Sequence, residues 1–227
     1  MDEISAGQGG VTFFDILLTL LDGAGYTLLV TLACAATGLA VGLGIAIARQ
    51  MGGAWLSATL STIVYVLRGV PMLVLLFLVF FGLPGIGVDV PPIAAMMMSL
   101  GLIEGAYLSE IFRGALATVN PNEVLAAQSM GFTRFQTLRL IKLPQMMRFS
   151  VPGMVNELTT VIKFSPFAYT VGVPEITKQA MALVGTTMRG IEIYVALGLL
   201  YFAIYRLMLV VVRLIERHYS VPGFAQE

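Results

Sequence analysis

The hydrophobic positions of this chain form five long runs, and short segments that carry most of the charges separate them. The runs cover 23–48, 55–83, 92–112, 149–173 and 194–215. A helix needs about 20 apolar residues to cross the hydrocarbon core of a bilayer, and each run is long enough. None of them shows the polar and apolar alternation of a membrane-spanning barrel strand. The pattern therefore predicts an all-α integral membrane protein, with five transmembrane helices in a single domain over residues 1–227.

A shorter apolar segment, residues 11–22, precedes the first run and contains Asp15 and Asp22. It is too short and too polar to cross a bilayer, so we predict a helix that lies in the membrane interface. The residues before it, MDEISAGQGG, are acidic, whereas a secretory signal begins with basic residues. We therefore expect this segment to be retained.

The composition agrees with a membrane protein, because 58% of the residues are hydrophobic and only 11% are charged. A mean hydropathy of +0.90 implies that part of the apolar surface contacts lipid, so the lipid bilayer is a predicted binding partner. The formal net charge is zero, so we expect no nucleic acid partner, because a phosphate-binding face needs a basic excess.

Little in the chain is suited to catalysis or to metal binding. The sequence lacks the GxxxxGK[ST] phosphate loop, so we predict no ATP binding by this chain. Cys34 is the single cysteine and His218 the single histidine, which excludes a disulfide within the chain and a histidine-based triad. Met96, Met97 and Met98 are consecutive and therefore point around a helix. We predict packing for them, and no metal, cofactor or enzymatic activity in this chain.

Lysine and arginine in the loops predict the orientation. If the runs alternate in direction, most basic residues fall on one side: Arg49, Arg113, Arg134, Arg139, Lys142, Arg148, Arg213 and Arg217. Only Lys178 and Arg189 fall on the other. The basic side is predicted to be cytoplasmic, which places the amino terminus outside, the carboxyl terminus inside and the loop 120–145 in the cytoplasm.

The loop 120–145 carries the signals of two short helices. Asn120 is suited to cap the first helix, with Glu123 returning a bond to its amide, and Gly131 supplies a left-handed residue that ends it. Thr133 caps the second helix with Gln136 as its partner. A simple basic loop that follows the positive-inside rule is the alternative. A DNA-reading helix pair is disfavoured, because the bilayer ties both ends of the loop.

The same loop resembles the cytoplasmic signature of bacterial ABC import permeases. The matching residues are Ala126, Ala127, Gly131, Ile141, Leu143 and Pro144. Further stretches resemble the polar amino-acid uptake branch: GYTLLVTL and AIAR in the first run, RGVPMLVLLF in the second, GAYLSEIFRGAL in the third and IKFSPFAYTVGVPEIT in the fourth. The chain is identified as a member of this family over residues 25–177. The resemblance implies the type I ABC importer permease fold, with five spans and an external amino terminus.

In this family the loop is the coupling helix that seats in an ATPase subunit. The resemblance therefore implies coupling roles for Leu125, Ala126, Ala127, Gly131, Phe132, Ile141, Leu143 and Pro144. It also implies two ATP-binding cassette subunits that bind ATP and Mg, a second permease, and a periplasmic or lipid-anchored solute-binding protein. The family signature has glutamate where this chain has Leu125. We therefore predict a non-identical second permease that keeps the glutamate.

Ionisable residues within the runs are candidates for function, because a charge in the bilayer is costly. Asn156, Thr159, Thr160 and Lys163 share one side of a helix over the fourth run, with Glu157 beside them. The family places substrate contacts on this span, so we predict a substrate site here. The alternative is a structural pair between Glu157 and Lys163.

Further candidates lie in the fourth run and in other runs. Pro166 frees the carbonyl of Ile162, and we predict that the break beside Ser165 is exposed to the cavity. Glu104 lies one turn from Tyr107, so both are predicted to face the same cavity, although a pair between Glu104 and an arginine of the partner permease is the alternative. The remaining predictions are gating or structural: Arg68 with Pro71 at a break, and Glu110 with Arg113 as an ion pair. Arg206 has no motif around it.

These observations predict the transmembrane permease subunit of an ATP-driven importer. It would move polar amino acids or close derivatives across the bacterial inner membrane by alternating access. An ion-coupled secondary transporter of small polar solutes is the main alternative, but it does not explain the capped helix pair in the loop 120–145. An exporter or a channel scaffold is a further alternative.

Overall fold

The computed structural model of the protein describes residues 12–219, with side chains up to residue 214. All regular secondary structure assigned in this range is helical. In chain order the α-helices are α1 (Phe13–Leu21), α2 (Ala24–Met51), α3 (Ala54–Gly69), α4 (Met72–Phe77), α5 (Pro92–Met96), α6 (Leu102–Ala117), α7 (Pro121–Ser129), α8 (Arg134–Thr137), α9 (Leu143–Phe164), α10 (Ile176–Thr187) and α11 (Gly190–Tyr219). The predictions for residues 1–11 and for the His218 side chain lie outside the described part.

Shorter helical turns extend several of these helices. π-Helical turns cover Leu78–Gly82, Met97–Gly101 and Leu138–Lys142, and 3-10 turns cover Leu83–Ile86 and Ser165–Val171. The π turn Met97–Gly101 joins α5 to α6, so that Pro92–Ala117 is one continuous helix.

Three helices of the described part are long and apolar enough to cross a membrane: Ala24–Met51, Pro92–Ala117 and Gly190–Leu214. α3 and the segment Met72–Ile86 qualify together as a fourth span, but they meet at an angle of 103°. The second predicted span is therefore sharply bent, and the bend falls at Val70 and Pro71, where proline cannot continue the helical hydrogen bonds. α9 has 22 residues but is too polar to be counted by composition, so the total of five spans stays a prediction.

Glycines bring α2 close to the continuous helix Pro92–Ala117. A Cβ atom on Gly42 would lie 3.0 Å from the carbonyl oxygen of Gly105, and one on Gly38 would lie 2.9 Å from the Cβ of Glu104. Glycine is common where membrane helices cross, because it lets the two backbones approach and gain van der Waals contact. This contact fixes the start of α6, and with it the position of Glu104.

Two of the three clusters of buried side chains in the described part organise most of the bundle, and they differ in size. The larger one joins α2, α4, the continuous helix, α9 and the turn after it through Val30, Cys34, Leu76, Met96, Leu100, Val161 and Ala168. Cys34, the single cysteine, is buried within this cluster. The smaller cluster joins α1, α10 and α11 through Ile16, Leu20, Ile176, Ala180, Ile193 and Ala196.

α1 is amphipathic, and it begins with a capping box between Thr12 and Asp15. Ile16 and Leu20 are buried against the smaller cluster, whereas Phe14 and Leu18 are exposed. A short helix with one packed face and one exposed apolar face is suited to a membrane interface, and its interfacial position stays a prediction.

Candidate functional site

A cavity of about 570 Å³ opens between the bend after α3, α6 and α9. Its walls are mostly apolar, and they include Met72, Leu73, Leu100, Ile103, Phe164 and Phe167. The lining also includes one guanidinium group, that of Arg68, and two carboxyl groups, those of Glu104 and Glu157. A mostly apolar pocket with a few polar groups is the usual form of a small-molecule site.

Arg68 lies in the last turn of α3, just before the bend. Its Cζ atom is 4.8 Å from the centre of the Tyr107 ring, and the Tyr107 hydroxyl donates a 3.4 Å hydrogen bond to the Arg68 carbonyl. The ring therefore holds both the guanidinium and the end of α3. Pro71 lines the same cavity. Arg68 and Pro71, which were predicted as gating or structural residues, therefore lie beside Tyr107, which was predicted to contact substrate.

Glu104 projects from the first turn of α6 and is only 3% exposed. Its Oε2 atom has no hydrogen-bond partner in the part of the chain that the structure describes. Glu104 and Tyr107 both line the cavity, as their spacing predicts.

The predicted polar stripe on α9 is divided in the structure. Glu157 and Thr160 line the cavity, whereas Asn156 and Lys163 are absent from its lining and are exposed. The carbonyl of Asn156 accepts hydrogen bonds from the hydroxyls of Thr159 and Thr160, at 2.7 and 3.1 Å.

Lys163 points toward α11 instead. Its Nζ atom lies 5.4 Å from the centre of the Tyr205 ring. The ion pairs found among the described side chains do not include one between Lys163 and Glu157. The predicted structural pair between Glu157 and Lys163 is therefore not formed among these side chains.

Ser165 is buried and closes the break that Pro166 creates. Its hydroxyl donates a 2.9 Å hydrogen bond to the carbonyl of Ile162, the group that the proline was predicted to free. Ser165 does not line the cavity of about 570 Å³. The rings of Phe164 and Phe167, which flank the break, line that cavity instead. The backbone at this break is satisfied by a side chain.

A second cavity, of about 700 Å³, lies beside α2, α3 and α6. The carboxylate of Glu110 forms an ion pair with the guanidinium of Arg113 at 2.8 Å, as predicted. It forms a second ion pair with the guanidinium of Arg49 at 2.6 Å. Arg49 was predicted only as one of the basic residues on the cytoplasmic side, because nothing local in the sequence pairs it with Glu110. Arg68 lines both cavities and so lies between them.

The loop between α6 and α9 has the predicted helix pair. Asn120 caps α7, Thr133 and Gln136 form the capping box of α8, and Gly131 has a φ of +84°. Glu123 has a different role from the predicted one: its carboxylate accepts a 2.5 Å hydrogen bond from Gln145, which ties α7 to α9.

A groove of about 430 Å³ runs along this helix pair. It contains five residues of the predicted coupling set, Ala126, Ala127, Phe132, Ile141 and Pro144. Leu125 is 58% exposed beside it, and Gly131 provides the turn. Leu143 instead packs inward against the buried group that contains Leu108 and Phe112.

One buried polar cluster was missed by the sequence analysis. Glu175 caps α10 through the amides of Thr177 and Lys178, and it accepts a 2.5 Å hydrogen bond from Tyr201 on α11. Burial raises the pKa of Glu175 above its ordinary value, and these hydrogen bonds oppose the rise. The local signal in the sequence is an acidic residue directly before a helix, where it can accept hydrogen bonds from the free amides of the first turn.

With this geometry established, comparison with known proteins decides the family. Residues 40–221 match the family model of the binding-protein-dependent transport system inner membrane component. The chain belongs to this family. It is 34% identical over 201 residues to the probable amino-acid ABC transporter permease protein YckA of Bacillus subtilis (strain 168), covering 88% of this chain and 89% of the relative.

Two further similarities agree with this assignment. The histidine/lysine/arginine/ornithine transport system permease protein HisQ of Escherichia coli (strain K12) is 33% identical over 218 residues, covering 89% of this chain and 93% of HisQ. A crystal structure of an amino acid ABC transporter with histidines matches with a TM-score of 0.81 and 28% identity, covering 92% of this chain and 99% of that one.

The family predicted from the loop 120–145 and its flanking segments is thereby confirmed. The inner membrane component is the permease of an ABC importer, which works with separate ATPase subunits. The chain is therefore an integral protein of the inner membrane.

Proposed function

We propose that this permease carries amino acids across the bacterial inner membrane, powered by ATP hydrolysis in its partner subunits. The observation that supports this most is the cavity that holds Arg68, Glu104 and Glu157 within apolar walls. The names of YckA and HisQ refer to amino acids, which agrees with this chemistry.

A zwitterionic amino acid matches two of these groups. The guanidinium of Arg68 is suited to bind the α-carboxylate, and the carboxylate of Glu157 is suited to bind the α-ammonium. The two residues project from different helices, α3 and α9, so the substrate joins elements on both sides of the cavity. Thr160, Tyr107 and Glu104 complete the proposed polar lining. Asn156, Lys163 and Ser165 lie outside that lining and serve the surrounding structure.

The groove along α7 and α8 is the proposed seat of the ATPase subunit. Its small residues, Ala126 and Ala127, let another surface approach, and the exposed Leu125 and Met130 offer apolar contact. Two ATP-binding cassette subunits would bind ATP and Mg, a second permease would complete the pathway, and an external solute-binding protein would deliver the substrate. Closure of the ATPases would move the helix pair, and the cavity would then open to the opposite side of the membrane.

The proposed contact with the ATPase also defines the orientation of the chain in the membrane. A helix pair that contacts an ATPase lies in the cytoplasm, which places the amino terminus outside and the carboxyl terminus inside. Because Leu125 stands in place of the family's glutamate, we propose that the second permease is a different chain that keeps the acid. Two copies of this chain as the only permease in the active complex would contradict that proposal.

Reconstitution of the purified complex into liposomes tests the function. Uptake of labelled amino acids is expected only with ATP on the ATPase side and the solute-binding protein on the other side. Dissipation of the proton and sodium gradients should leave uptake unchanged. Uptake by the permease alone that follows an ion gradient would show a secondary transporter instead.

A further inference from the structure

The polar residues of α3 lie along one side of that helix. Ser57, Ser61, Tyr65 and Arg68 are separated by four, four and three positions, a spacing that places them on a single helical face. All four line the cavity of about 700 Å³. Val64 is the only residue of α3 that is buried within the described chain. Polar side chains in a membrane-spanning helix are costly without polar partners, so this face requires one.

Guanidinium groups from three helices surround the same cavity. Arg49 of α2, Arg68 of α3 and Arg113 of α6 line it, whereas Glu110 is the one carboxylate among its described lining residues. Arg49 and Arg113 both bind Glu110, so the cavity keeps a surplus of positive charge. The side chain of Arg113 is 58% exposed, which leaves it free to bind a further group.

The remaining polar groups of this cavity favour an anion over an amino acid. Gln50, Ser57 and Tyr65 add an amide and two hydroxyls to the lining. The carboxylate of Glu110 is already occupied by two arginines, so the described lining offers no free carboxylate for an ammonium group. A phosphate group has no such need, and its oxygens accept hydrogen bonds from guanidinium and hydroxyl groups together.

The cavity lies near the end of the bundle that the proposed function places in the cytoplasm. Arg49 is in the last turn of α2, and Arg113 is close to the end of α6. Trp55, at the start of α3, is 89% exposed, and exposed tryptophan is typical of the membrane interface. Phospholipid headgroups lie at this depth, and basic pockets between helices on the cytoplasmic side bind anionic ones.

From this arrangement we infer that the cavity between α2, α3 and α6 binds the phosphate group of an anionic phospholipid from the cytoplasmic leaflet. Arg49 and Arg113 hold the phosphate at the membrane surface, whereas Arg68 lies deeper, where the cavity meets the proposed substrate site. The bound lipid would fasten α3, which buries little of its own surface, to α2 and α6. The inference goes beyond the proposed function and takes only the orientation of the chain from it.

Native mass spectrometry of the purified permease–ATPase complex, released from nanodiscs, tests this inference. The nanodiscs contain phosphatidylglycerol and phosphatidylcholine in equal amounts and with the same acyl chains, so that only the headgroups differ. Arg113→Gln removes a cavity arginine, and Ser57→Leu fills part of the cavity without a change of charge. Arg213→Gln, which removes an exposed arginine of α11 outside the cavity lining, is the matched control.

The wild-type complex is expected to retain phosphatidylglycerol in preference to phosphatidylcholine. Arg113→Gln should lower the retention of phosphatidylglycerol by about fivefold, the effect of one basic group near the membrane surface. Ser57→Leu should also lower it, and this variant keeps the test valid if Arg113→Gln proves unstable. Arg213→Gln should leave it unchanged. Thermal unfolding of each complex checks that the variants are folded.

Three results would overturn the inference. Equal retention of the two lipids by the wild-type complex would show that protein, such as the second permease, covers the cavity. Equal losses in Arg113→Gln and Arg213→Gln would show a general attraction to the basic surface. Labelled inorganic phosphate that binds phosphatidylcholine nanodiscs through Arg113, without any preference for phosphatidylglycerol, would assign the cavity to a soluble anion. Each of these results leaves amino-acid uptake untouched, so the proposed function would still stand.

Discussion

Arg49 of α2 and Glu110 of α6 form an ion pair of 2.6 Å across 61 positions of sequence. A second nitrogen of Arg49 donates a 2.5 Å hydrogen bond to the hydroxyl of Ser61 on α3. One side chain therefore joins three helices at the edge of the larger cavity. Arg113 binds the same carboxylate at 2.8 Å, but its side chain is 58% exposed, against 12% for Arg49.

This difference in burial predicts unequal effects of removing the two arginines. Arg49→Gln should lower the stability of the complex by about 2 kcal/mol, because it removes a largely buried partner of Glu110 and the contact with Ser61. Arg113→Gln should cost less than about 1 kcal/mol, because exposed ion pairs are weak. The midpoint of thermal unfolding of the purified complex measures both, and equal losses would show that burial does not set the contribution of each arginine.

Gly131 is predicted to be essential for coupling because of its backbone conformation. Its φ is +84°, and a Cβ atom placed there would meet nothing within 4 Å. A side chain at this position therefore meets no clash within the described chain, and its cost there comes from the backbone conformation. Gly131→Val should uncouple ATP hydrolysis from transport, since a β-branched residue resists this conformation, whereas Gly131→Asn should retain most transport.

The readout is the number of amino acids imported per ATP hydrolysed in proteoliposomes. Equal coupling ratios for the valine and asparagine variants would argue that the turn conformation at Gly131 has no part in coupling.

The close contact of α2 with α6 predicts that Gly42 cannot be enlarged. A Cβ atom at this position would lie 2.8 Å from the Cβ of Leu108 and 3.0 Å from the carbonyl oxygen of Gly105. Gly42→Ala should therefore destabilise the complex by about 1–3 kcal/mol through overpacking. Gly44→Ala, on the same helix but facing open space, is the control and should have no such cost. Comparable unfolding midpoints for the two variants would disprove the tight helix contact.

Features that depend on neighbouring residues were predictable from the sequence. The capping box of Thr133 and Gln136 and the left-handed Gly131 follow from short-range rules, and the structure contains both. Glu104 and Tyr107 were expected to share a cavity from their spacing of one helical turn, and they do.

Features that depend on distant helices were not predictable in this way. The pairing of Arg49 with Glu110 and the placement of Lys163 over Tyr205 require knowledge of which helices are adjacent. The break at Pro166 was foreseen, but the capture of the Ile162 carbonyl by Ser165 depends on a side-chain rotamer that sequence spacing does not fix.

The central claim is that an amino acid lies between Arg68 and Glu157, and its most direct test is the affinity of the nanodisc complex for amino acids after Glu157→Gln. Loss of the partner of the α-ammonium should weaken lysine and glutamine binding alike, each by about tenfold or more, with an unchanged unfolding midpoint. Glu192→Gln, which removes an exposed carboxylate near the start of α11, should leave both affinities unchanged. Wild-type affinity for both amino acids in the folded Glu157→Gln complex would contradict the claim.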